Sequence, residues 1–205
     1  MPRTAGRLLL PGAAAAALAL AGCTAAGPDV SPVDVPDAPV EATHPGTTLS
    51  VGDTAWVKVP AASGDTELVG ATVLSMDPLA PEKIDGYTEK AELSSRHPFA
   101  IVVQYTWTPV SEYDSTTRTV PLIPIEADGS FAGWLANDVG NVAMGDADAC
   151  GLSLPEPEDG TALECWVALT TGPDLGGVEF NGTSRAATFP DEEHPYAQQP
   201  VTWKP

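Results

Sequence analysis

The chain has 205 residues and carries 28 acidic side chains against nine Lys and Arg, a formal net charge of −19. A chain this acidic, with no basic block, is a poor nucleic-acid binder, because phosphates are met by Lys and Arg. Nineteen glycines and 21 prolines make about a fifth of the residues, which argues against a helical bundle, while an apolar fraction of 43% is too high for a disordered chain.

Residues 1–22 read as a processing signal. Arg3 and Arg7 give a positive start, and Leu8 to Ala21 form an apolar stretch broken only by Pro11 and Gly12. Leu20-Ala21-Gly22-Cys23 follows, and this box, in this order after a basic and an apolar region, resembles the lipobox of bacterial lipoproteins. The resemblance implies a diacylglyceryl group on the Cys23 thiol, cleavage before Cys23 and acylation of the new amine. Two or three acyl chains hold a protein stably to a bilayer, where one does so only marginally. The expectation is therefore a lipid-anchored protein on the extracytoplasmic face of the cell membrane. The alternatives are an ordinary secreted protein, or an uncleaved signal anchor with a chance cysteine. The apolar stretch is short of the ~20 residues that a spanning helix needs, and no later segment approaches that length. Cleavage removes two of the nine bases and no acid, leaving a mature charge near −21. Such a charge favours solubility and could attract cations or basic partners; it also suits an acidic secreted protein with no such role.

Residues 23–48 read as a tether. Pro28, Pro32, Pro36, Pro39 and Pro45 favour polyproline II and forbid a helix, and none of the thirteen aromatic residues precedes Trp56. Fully extended, roughly 25 residues at ~3.1 Å each reach about 75 Å, enough to stand a domain off the membrane. Residues 49–205 then have the length of one domain.

The domain pattern is β. Ala55 to Val59 and Glu67 to Met76 read as strands; in the second, Val69, Ala71 and Val73 oppose Leu68, Thr72 and Leu74. Pro81 to Leu93, interrupted by Gly86, reads as a loop with at most a helical turn. The clearest strand is Phe99 to Trp107, where Phe99, Ile101, Val103, Tyr105 and Trp107 alternate onto one face. Val120 to Ile125 is apolar but holds Pro121 and Pro124, so it fits only a sheet edge. Asp128-Gly129 signals a turn before Phe131 to Leu135. In Ala162 to Thr171, Leu163, Cys165, Val167 and Leu169 share a face; Val178 to Phe180, Ser184 to Phe189 and Val201 to Trp203 complete the set. Seven to nine short strands in this spacing predict an all-β, immunoglobulin-like sandwich.

Cys150 and Cys165 are the remaining cysteines, 15 residues apart around a proline-rich acidic loop. In an exported domain an even pair reads as a disulfide. A catalytic thiol would want a nearby base, and no His lies in that loop; zinc would want more Cys or His at close spacing. The familiar nucleophile, phosphate-loop, zinc-protease and EF-hand motifs do not occur. His44, His97 and His194 each precede a proline and read as surface turn residues, with a His97–His194 metal site as the sharper alternative. Asp138, Asp146 and Asp148 with Asn141 form an oxygen-rich stretch that calcium could use, though its spacing fits no standard loop. No catalytic residue, metal ligand or cofactor is assigned from these signals.

The domain resembles a family of actinobacterial exported lipoproteins with a telokin-like, immunoglobulin-like β-sandwich. The resemblance is carried by Leu49-Ser50-Val51-Gly52-Asp53-Thr54-Ala55, by Thr72 to Met76 followed by His97 to Val103, and by Cys150, Cys165 and Pro200 to Lys204. It covers about residues 49–205 and departs at the polar stretch Val110 to Thr119. It implies secretion and a sandwich fold, and transfers no active site. The expected role is a non-catalytic surface presented outside the membrane, joined to membrane lipid through acyl chains on Cys23 and binding an envelope protein, a polymer or a small ligand. The alternatives are an envelope hydrolase using acidic residues and a cation-binding or sensing lipoprotein.

Overall fold

A computed structural model describes residues 30–60, 66–84, 95–107, 120–135, 150–158, 160–182 and 194–205. The expected signal and Cys23, the acidic stretch from Asp138 to Asp148, the strand expected at Ser184 to Phe189, the Val110 to Thr119 stretch and residues 85–93 of the expected Pro81–Leu93 loop lie outside these residues.

Two sheets pack face to face, with nine strands among the described residues. The five-stranded sheet runs in the order β2 (Thr54–Pro60), β3 (Thr66–Pro78), β4 (His97–Trp107), β7 (Thr161–Thr170) and β6 (Gly133–Trp134). The four-stranded sheet runs β1 (Thr48–Ser50), β9 (Val201–Lys204), β8 (Leu175–Phe180) and β5 (Ile123–Glu126). All pairings are antiparallel except β1 with β9, where Leu49 faces Trp203 in parallel register.

The alternation in β4 works as expected. Phe99, Ile101, Val103, Tyr105 and Trp107 all enter the core between the sheets, joined by Val69, Ala71 and Val73 of β3 and by Phe180, Val201 and Trp203 of the facing sheet. Buried aromatic polar atoms have partners, which fixes their rotamers: the Tyr105 hydroxyl donates to the Val120 carbonyl (3.2 Å), Trp203 Nε1 to the Asp53 carbonyl (3.0 Å) and Trp166 Nε1 to Glu164 Oε2 (3.0 Å). In β7 the main core takes Ala162, Trp166 and Ala168. The face predicted from Cys165, Val167 and Leu169 is the opposite one, where a second apolar cluster forms with Ala100 and Val102 of β4, Ile84, Leu135 and Cys150.

Pro124 lies in β5, which is an edge strand, so its missing N–H leaves no ladder gap. The Asp128-Gly129 turn forms, with Gly129 at φ +84° and the Ser130 N–H donating to Asp128 Oδ1 (2.9 Å). Of the Pro81–Leu93 segment, Pro81–Lys83 forms one 3-10 turn. In β8 Gly177, at φ +143°, sits where a Cβ would strike the Trp203 carbonyl of β9, so only glycine lets β9 approach. Cys150 and Cys165 form the expected disulfide, with Cα atoms 6.4 Å apart. It pins residues 150–154 onto the outer face of the five-stranded sheet, where Leu152 and Leu154 pack against the second cluster.

Reducing this disulfide is expected to lower unfolding free energy by about 3 kcal/mol, from the loop it closes; urea titration with and without reductant measures it. Burial also raises the Glu179 carboxyl above its ordinary value. Folding thus favours its protonated form: the benefit is full below the unfolded pKa and is lost as pH rises through the folded one. Glu179→Gln is expected to raise Tm at about pH 7, by a margin that the half-exposure of the group keeps small, and to leave it unchanged at about pH 3; thermal melts at the two pH values measure it.

Candidate functional site

The stretch expected to act as a free tether lies, from Val30 onward, along the sandwich as a strap. Gln104 projects from the outer face of β4 and is 2% exposed. Its amide makes a paired contact with the strap backbone: the Val33 N–H donates to Gln104 Oε1 (2.8 Å) and Gln104 Nε2 donates to the Val33 carbonyl (2.9 Å). A side-chain amide here supplies both halves of a β-bridge, which suits a proline-rich segment that cannot form a ladder of its own. Further on, the Thr43 N–H donates to the Trp56 carbonyl (2.7 Å) and the Trp56 N–H to Thr43 Oγ1 (2.9 Å), which caps the open edge of β2. The Tyr196 hydroxyl donates to the Thr43 carbonyl (2.5 Å). Burial pushes that phenol above its ordinary range, so it stays protonated and donating at neutral pH. The Gly46 N–H then donates to the Gln199 carbonyl (2.8 Å), and the strap enters the second sheet as β1.

Between the strap and the outer sheet face runs a groove of ≈ 890 Å³. Its walls are Val30 and Val33 of the strap, Leu74 and Ser75 of β3, Leu79 beyond β3, Ala100 of β4, and Cys150 and Leu152 of the disulfide segment. Leu74 stands at a β-bulge, where the β3–β4 register shifts between Val73 and Ser75. Such a bulge bends the strand at the groove wall. The charged lining groups are Asp34, Asp77 and Lys83, the last lying along Gly151, whose φ of +63° turns the chain beside the disulfide. Among the described residues no ion pair involves the Lys83 ammonium. Size and lining are those of a small-molecule site: a concave apolar wall with a few polar groups.

Two smaller hollows hold titratable groups. One of ≈ 560 Å³ is lined by Glu41, His44, Lys58, His194 and Tyr196 among others. His44 and His194 therefore share a cavity, while His97 starts β4 opposite Thr170. His194 makes a tilted ring contact with Tyr196 (centroids 5.4 Å apart), and its Nδ1 accepts from the Tyr196 N–H (3.4 Å). The other, of ≈ 210 Å³, includes Glu126, Asp128 and Asp174. Glu126 is 8% exposed and accepts from the Thr171 N–H (2.7 Å) and the Thr171 hydroxyl (3.1 Å), so this carboxylate ties β5 to the β7–β8 turn. Hydrogen bonds from Ser130 lower the Asp128 carboxyl below its ordinary range. Among the described residues no three His, Cys, Asp or Glu groups converge as a metal-ligand set, and no helix is long and apolar enough to cross a membrane.

The groove was not foreseen from sequence. Its walls are brought together from positions 30 to 152, and of these the cysteine pair alone carries a local signal in the sequence.

No protein-family model, curated protein or solved structure matched the chain.

Gln104→Ala removes two hydrogen bonds worth about 1 kcal/mol each, so strap opening is expected to rise about thirtyfold. Amide exchange at Val33 should quicken by that factor, while the core amides of β4 and β7 keep their protection.

Proposed function

We propose that this chain is a lipid-anchored protein of the bacterial cell envelope, acylated at Cys23, whose β-sandwich binds a small, largely apolar ligand outside the membrane without catalysing a reaction on it. The observation that carries the binding role is the ≈ 890 Å³ groove, whose walls come from the strap, β3, β4 and the disulfide segment. Ligand sites of this kind are concave, mostly apolar and supplied with few polar groups. The anchoring role rests on Leu20-Ala21-Gly22-Cys23 behind its basic and apolar regions. The Cys150–Cys165 bridge supports export, since disulfides persist on the oxidising side of a membrane. The motif resemblance to exported actinobacterial lipoproteins supports the same placement.

The test is expression of the full chain in a bacterial host, followed by fractionation and mass spectrometry of the mature N-terminal peptide. The expected product begins at Cys23, carries acyl chains and sediments with membranes; Cys23→Ser moves it to the soluble fraction. A mature protein that starts elsewhere and carries no fatty chain would falsify the anchored reading.

A further inference from the structure

If residues 23–48 were a free tether, the sandwich could stand far from the membrane. The strap does not allow this. Its backbone is bonded to the body at Val33, and Val30 already lines the groove. Only six residues, Thr24 to Asp29, separate the acylated Cys23 from Val30 at the groove wall, a path of seven Cα–Cα steps. At 3.3–3.6 Å per residue that chain spans at most about 25 Å, whatever its conformation. This is less than the ~30 Å thickness of a bilayer's hydrocarbon core. An anchor at Cys23 thus holds one end of the groove close to the headgroups of its own leaflet.

The lining chemistry matches what is found there. Leu74, Leu79 and Leu152 offer an apolar wall to a hydrocarbon chain, whose burial there is favourable. Lys83 stands among the lining groups, exposed and without an ion pair among the described residues, and an ammonium there suits a phosphate. Asp34 and Asp77 belong to the same lining and disfavour a headgroup that is only anionic. A headgroup with both a phosphate and an amine satisfies all three. From the short leash and this lining we propose that the groove takes an acyl chain of an ethanolamine phospholipid from the leaflet that holds the anchor, with the phosphate at Lys83 and the amine toward Asp34 and Asp77. This rests on the anchored reading above.

The experiment places the full acylated protein in phosphatidylcholine vesicles containing a minor fraction of phosphatidylethanolamine that carries a photoactivatable diazirine on its acyl chain. Irradiation should give adducts on the peptides containing Leu74 to Lys83 and Gly151 to Leu152. Ser75→Trp, which fills the groove from an incompletely buried position on β3, should reduce these adducts to background with the circular dichroism spectrum unchanged. Leu152→Trp serves where Ser75→Trp does not fold. Adducts that are absent from these peptides, or that persist in both folded variants, overturn the proposal.

A second arm separates this proposal from anchoring. The full chain carrying Cys23→Ser is titrated with soluble dihexanoyl phosphatidylethanolamine by calorimetry. Binding that Lys83→Glu weakens by up to about fivefold, the range of an exposed ion pair, supports the proposed occupant. Acylated Cys23 together with neither labelling nor binding overturns the occupant and leaves anchoring standing. Groove labelling on a chain with no lipid at Cys23 removes the anchor and supports the occupant.

Discussion

β4 is apolar on both faces, and the rest of the molecule is arranged around that constraint. Phe99, Ile101, Val103, Tyr105 and Trp107 feed the core between the sheets, while Ala100 and Val102 look the other way and are as well buried. β7 repeats the pattern, with Trp166 inward and Cys165, Val167 and Leu169 outward. A sheet with two apolar faces needs two covers. The four-stranded sheet is one. The other is assembled from short pieces: Ile84 after the 3-10 turn, Leu135, the disulfide segment with Leu152 and Leu154, and the strap at Val30. None of these pieces is long enough to hold itself in place. A covalent bond at Cys165 and a side-chain amide at Gln104 fix two of them to the sheet. The groove is the space these pieces leave between them.

The same pieces manage the sheet edges. β2 would otherwise offer an unpaired row of backbone groups, and Thr43 of the strap occupies part of it at Trp56. β5 carries Pro124, β1 has three residues and β6 two, so the remaining edges are short or blunted. Trp134 of β6 adds an edge-to-face contact with Trp166 (centroids 4.9 Å) that ties this small strand to the sheet. Covering a face and protecting an edge are done here by one segment.

What the sequence disclosed follows from range. Alternation in β4, the proline signature of β5, the Asp128-Gly129 turn and the cysteine pair are local signals, and each is found where local chemistry places it. The second apolar face of β7 was visible as a row of side chains, but not as a second core, because what covers it comes from distant positions. The strap was hidden more deeply. Its prolines and lack of aromatics describe an extended chain correctly, and nothing in them shows that Gln104, 71 residues away, accepts and donates to Val33. The parallel β1–β9 pair joins residues 48–50 to 202–204, a closure no periodicity reveals. His44 and His194 share a hollow for the same reason: the strap carries one of them to the other.

The strap is also stored length. Residues 30–47 are held by separate contacts at Val33, Thr43 and Gly46, ahead of the β1–β9 ladder. Tension drawn through the N-terminal side meets these fastenings one after another, so the segment peels stepwise while both sheets keep their cores. About 18 residues freed in this way add roughly 60 Å of contour. The three-residue parallel ladder is next in line and is loaded along its strands, so its hydrogen bonds share the pull. A pull applied at residue 30 is thus taken up by the strap's separate fastenings before it reaches either sheet.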